Sequence, residues 1–156
     1  MNSYILSLLA YVFGLSSLDL LTNKHYARIW HRINIDKKSQ LVYYLLLHNI
    51  IYFVIYFSIF FLLYYFHTTS LTYFVAYFLL LVAVPLHWYT NNNRCWFTER
   101  QNELLGIDKD YGFRDTYSVL TNQHFKSNPI RDNVYLGYLI VCIVASIAMI
   151  SIKVSV

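Results

Sequence analysis

Four long apolar runs, separated by short polar segments, set the pattern of this chain. Residues 4–21 form a run of about 18 residues, the lower limit for crossing a hydrocarbon layer of roughly 30 Å. Residues 41–66 continue for about 26 residues without a charge, enough for a tilted crossing. The polar turn His67-Thr68-Thr69-Ser70 follows, and residues 71–90 are again uncharged, so these two runs are expected to form a tight antiparallel helical hairpin. Residues 134–152 supply the fourth run. The pattern predicts an all-α polytopic membrane protein of about four transmembrane helices, organised as one membrane domain over residues 1–156. No internal repeat and no low-complexity linker interrupts it.

The segment between the third and fourth runs, residues 91–133, has helix signals of its own. Thr98-Glu99-Arg100-Gln101 fits a capping box, and Gly106 is placed to end a short helix after Leu104-Leu105. Trp96, Phe97, Leu104 and Leu105 are expected against the membrane surface. Asp115 is placed to cap a second short helix carrying Tyr117, Leu120 and Phe125, ending before Pro129. These short interfacial helices predict a folded cap on one side of the bundle.

Composition agrees with a lipid environment. The 156 residues are 58% hydrophobic and 13% charged, with 16 Tyr and 11 Phe against 4 Gly and 2 Pro. This is more apolar surface than one small soluble core hides. Tyr- and Phe-rich usage is also what AT-rich codons favour, which points to a mitochondrial inner membrane or a viral or host membrane as the home. The net charge of +4 does not indicate nucleic acid, because the basic residues flank apolar runs. Lys24, Arg28, Arg32, Lys37 and Lys38 lie in the first polar segment with one acid, Asp36, whereas residues 1–4 and 67–70 carry no Lys or Arg. The positive-inside rule then puts this segment and the long loop inside and both termini outside. The first run has neither a basic flank before it nor a small-residue cleavage site after it, and reads as retained. Two cysteines, Cys95 and Cys142, make no disulfide framework.

Polar residues within or beside spans need partners away from water. If the second and third runs fold back about the turn, His48 and His87 lie at equal depth, Asp19 approaches the same boundary, and Cys95 follows the exit of the third run past Pro85. Asp19, His48, His87 and Cys95 therefore form a candidate inner polar layer. Its simplest role is to bridge helices. The alternatives are a haem or metal site built on the imidazoles with Cys95 as a soft ligand, or an enzyme with a His base or a Cys nucleophile. Asp19 is expected to pair with Lys24 or Arg28. His25, Arg28, Trp30, Arg32, Trp88 and Trp96 read as anchors at the lipid interface, the basic ones suited to anionic lipid.

The residues Val84-Pro85-Leu86-His87-Trp88, then Asn91-Asn92-Asn93-Arg94-Cys95, then Thr98-Glu99, resemble a PLHW, N-x-C, Thr segment of uncharacterised small multi-pass membrane proteins of large DNA viruses and protists. The resemblance covers about sixteen residues and implies no activity. It directs attention to His87, Asn93, Cys95 and Thr98 as a unit at one helix exit. The expectation for function is a noncatalytic membrane subunit of a larger assembly, such as a respiratory or ATP-synthase complex, with the lipid bilayer and other membrane subunits as partners. A small redox, haem or metal protein or enzyme is the alternative, and a viral membrane protein or oligomeric pore the third.

Overall fold

The computed structural model describes residues 2–91, 95–107, 119–120 and 129–155. Among these residues all regular structure is helical: α1 (Asn2–Thr22), α2 (Lys24–Ile29), α3 (Ile35–Tyr64), α4 (Leu71–Thr90), α5 (Trp96–Leu105) and α6 (Pro129–Ser155). Four stretches, Ser3–Thr22, Ile35–Tyr64, Leu71–Thr90 and Tyr135–Ser155, are long and apolar enough to cross a membrane. At 1.5 Å per residue even the shortest reaches about 30 Å. The chain is an all-α polytopic protein.

The third span has the bounds that the uncharged run predicts, while the second starts earlier. Asn34 accepts from the Lys37 amide through Oδ1 at 3.0 Å, an N-cap bond that begins α3 at Ile35 and carries it through Asp36, Lys37 and Lys38 before the apolar run. The acid in the first turn also complements the helix dipole. Between α1 and α3, Asn23 accepts from the His25 amide at 2.9 Å and caps α2. Much of the expected polar segment is thus helical.

The cap helix α5 also starts before its expected position. Cys95, in an extended backbone conformation, occupies the N-cap, so Thr98 lies inside the first turn and does not cap. The C-terminal expectation holds. Gly106 adopts φ 62°, its amide reaches the Glu103 carbonyl at 3.2 Å, and the Ile107 amide reaches Asn102 at 3.0 Å. This pair of bonds is a Schellman closure, which requires the left-handed residue that glycine supplies without a Cβ penalty. Of the helix expected after Asp115, Val119 and Leu120 are among the described residues and are helical, the first buried and the second exposed; Asp115, Tyr117 and Phe125 lie outside them.

The described residues fall into two compact units. One lies within Met1–Ile51 and Arg94–Asn128, and its apolar core is Tyr26, Leu41, Leu45 and Leu105, with Leu20, Ile29, Trp30, Ile33, Leu104 and Ile107 packed against it. Leu105 is therefore a core residue and not a membrane-surface one. Trp30 likewise leans on this core, with the Lys38 ammonium 5.4 Å from its ring centre.

The other unit lies within Tyr52–Asn93 and Pro129–Val156. There α4 packs against α6, burying Phe74, Tyr77 and Leu81 on one helix and Leu139, Cys142, Ser146 and Met149 on the other. Both sets recur at intervals of three and four residues, one face of a helix. Two tyrosine hydroxyls tie the end of α3 to this pair: Tyr77 donates to the Ile55 carbonyl at 2.7 Å and Tyr138 to the Tyr56 carbonyl at 2.6 Å. A phenol shielded from water needs an acceptor, and in both cases a backbone carbonyl of α3 supplies it. At the far end, Thr68 and Thr69 hydroxyls donate to the Tyr65 carbonyl and close the short turn between α3 and α4.

Candidate functional site

The first unit has a polar interior. Ser16, Asp19 and Asn23 recur three and four residues apart on α1 and its exit, and all three are buried. Asn49 Nδ2 donates to Ser16 Oγ at 2.8 Å, joining α3 to α1. Asn23 Nδ2 donates to Asp19 Oδ1 at 3.5 Å. The partner expected for Asp19, Lys24 or Arg28, is replaced by this amide, because α2 turns Lys24 and Arg28 outward.

The cap helix presents the same chemistry. Thr98, Gln101, Asn102 and Leu105 are its buried residues, a spacing that puts them on one face, whereas Trp96, Arg100 and Glu103 are exposed. Three of the four inward residues are polar. Asn49 Oδ1, Thr98 Oγ1 and Gln101 Nε2 are buried without a hydrogen-bond partner among the described residues.

His48 and Cys95 come together within this unit: the thiol Sγ is 3.8 Å from imidazole Nε2. Phe97 flanks the imidazole at 5.9 Å between ring centres. Two features position the thiol, the N-cap conformation at the start of α5 and a contact between Tyr44 and Trp96, 5.5 Å apart and edge-on. A thiol and an imidazole at this distance are able to exchange a proton or to supply two ligands to a soft metal. Among the described residues no group of three His, Cys, Asp or Glu side chains is placed to hold a metal ion.

The remaining candidates are distributed differently. His87 belongs to the second unit and is exposed on α4. Its backbone carbonyl accepts from the Asn91 amide at 3.0 Å and from the Thr90 hydroxyl at 3.0 Å. Asn93 lies outside the described residues. Of the interface residues, Arg28, Arg32 and Trp96 are exposed, and His25, Trp30 and Trp88 are half-buried. The polar interior itself, Ser16, Asn23, Asn49, Thr98, Gln101 and Asn102, extends beyond the layer expected from His48, His87, Cys95 and Asp19. Its signal was a helical period of polar residues, at 16, 19 and 23 and again at 98, 101 and 102.

Fold and site together define a multi-pass all-α membrane protein with one unit packed around polar side chains. Comparisons with protein-family models, with curated proteins and with solved structures return no match.

Proposed function

We propose that the protein is a noncatalytic integral membrane subunit of a larger membrane assembly. The observation that carries this reading is a stripe on α1. Ser7, Ala10, Gly14 and Ser17 recur at helical spacing and are all exposed, and a Cβ placed on Gly14 would meet nothing within 4 Å. Small residues in register let another helix approach closely, which is how helices associate where lipid removes the hydrophobic drive between them. Bulky apolar side chains, Leu6, Phe13, Phe60, Tyr73 and Leu79 among them, also face outward, as lipid or neighbouring subunits require. The polar interior serves this role by bridging helices.

The same reading puts both termini outside and the basic residues Lys24, Arg28, Arg32, Lys37 and Lys38 inside. It is supported in the second unit by Lys153, which donates to the His67 carbonyl at 3.3 Å and brings the end of α6 beside the α3–α4 turn. A mitochondrial inner membrane, or a viral or host membrane, is the proposed home on composition. Purification of the native protein in mild detergent tests the assembly directly. The expected result is a complex larger than the 18.6 kDa chain with copurifying membrane proteins, lost on Gly14→Leu. A fully stable, monodisperse single chain overturns it.

The His48–Cys95 pair favours a second reading, a membrane thiol–imidazole protein that binds a soft metal or haem or uses Cys95 as a nucleophile. An optical spectrum and metal content of the native protein, with activity-independent alkylation of Cys95 in the presence and absence of His48→Ala, test it. Absence of a Soret band, of stoichiometric metal and of any effect of His48 on alkylation overturns it.

A further inference from the structure

On the outer face of the first unit, α3 and α5 enclose a cleft of about 320 Å³ whose walls include Lys37, Gln40 and Tyr44 from α3 and Trp96, Arg100 and Glu103 from α5. Lys37, Gln40 and Tyr44 are one helical face at successive turns, spanning about 10 Å along the axis. Their order is ammonium, amide, phenol. Lys37 and Lys38 are the last charged residues before the apolar run of α3, so this order descends from the aqueous side toward the hydrocarbon. The opposite wall repeats it: Arg100 lies 5.5 Å from the Trp96 ring centre, and Trp96 packs edge-on against Tyr44 at 5.5 Å.

We propose that this cleft binds the phosphodiester headgroup of a membrane phospholipid, with Lys37 and Arg100 on the phosphate and the Tyr44–Trp96 pair along the glycerol and upper acyl region. The inference rests on the membrane reading of α3. Charge decides the class of headgroup. Glu103 holds Arg100 through a 2.6 Å ion pair, so two cations and one carboxylate leave the cleft one net positive charge. That balance suits a singly charged phosphodiester and disfavours polyphosphorylated headgroups, whose added charge would meet Glu103. Aromatic rings at the boundary are suited to the amphipathic middle of a lipid.

The test uses the full chain in maltoside detergent, titrated with dihexanoylphosphatidylglycerol, dihexanoylphosphatidylcholine and inorganic phosphate while tryptophan fluorescence is followed. Saturable responses to both short-chain lipids and none to phosphate are expected. Lys37→Gln combined with Arg100→Gln is expected to weaken lipid binding about tenfold, and Lys37→Gln alone about threefold. Lys24→Gln, at an exposed position of α2 outside the cleft, is expected to bind as the native chain does. Native-like binding by Lys37→Gln and by the double variant overturns the proposal, as does an equal response to inorganic phosphate, which would assign the cleft to a free anion. The single variant serves if the double variant does not fold. Extraction of the chain from membranes by alkaline carbonate would overturn the membrane reading instead, whereas retention with unchanged lipid affinity in the variants overturns the cleft alone.

Discussion

Asn49 and Ser16 are thirty-three positions apart in sequence, yet each is buried against the other at 2.8 Å. Replacing either with alanine leaves its partner buried without this bond. Each single variant is expected to destabilise the protein by about 1 kcal/mol, with a coupling of roughly 0.6 kcal/mol in the double-mutant cycle. Unfolding in graded sodium dodecyl sulfate measures both, and strict additivity would show that the two groups act independently. Thr98 presents the opposite case. Its hydroxyl is buried without a partner among the described residues, so the isosteric Thr98→Val removes a desolvated polar group and loses no bond. A stabilisation of about 1 kcal/mol is expected in the same assay, and a loss of similar size would mean that the hydroxyl is satisfied by water or ligand. Neither Asn49 nor Ser16 stands out in the sequence as more than polar, and Thr98 stands out there as a helix cap rather than as a buried hydroxyl. A pairing across thirty-three residues depends on helix rotation, which a linear pattern of spans leaves free.

Two glycines separate local geometry from assembly at the level of the helix. Gly106 closes α5 in the left-handed region at φ 62°, and Gly106→Ala is expected to cost roughly 1 kcal/mol. Gly14 lies inside α1 with open space about its Cα. Gly14→Ala is therefore expected to leave thermal stability of the detergent-solubilised chain unchanged or raised by about 0.5–1 kcal/mol, through helix propensity. Thermal unfolding of the two variants side by side checks the contrast. Equal losses would place a packed neighbour at Gly14 within the chain itself. At this scale much was legible. The uncharged run gave α4 its bounds and Gly106 gave α5 its end, because turns and spans are fixed by residues close in sequence. The N-cap of α5 lies three residues before Thr98, because a Thr-x-x-Gln box competes with Cys95 and only the backbone conformation at position 95 decides between them.

For the whole molecule, the testable property is sidedness. Lys153 reaches the His67 carbonyl and lies 4.9 Å from the Phe66 ring centre, so the end of α6 and the α3–α4 turn occupy one side. In a chain lacking Cys95 and Cys142, Thr68→Cys and Ser155→Cys are expected to react with a membrane-impermeant maleimide from the same side of sealed vesicles. Lys24→Cys is expected to react from the other. Labelling of Thr68→Cys and Ser155→Cys from opposite sides would refute the arrangement of the second unit, and labelling of all three from one side would refute the assignment of the basic segment.

The sequence by itself determined the membrane class and the approximate spans, because hydrocarbon thickness demands apolar length and backbone polar groups demand helices. It also marked His48, Cys95 and Asp19 as polar groups in need of partners. Asp19 finds its partner locally, in Asn23 four residues on, whereas tertiary structure decided the others: His48 faces Cys95 at 3.8 Å, and α5 turns Thr98, Gln101 and Asn102 inward. The physical reason is rotational. Depth along a helix follows from counting residues at a fixed rise, but the direction a side chain points relative to another helix is set by packing between segments distant in sequence.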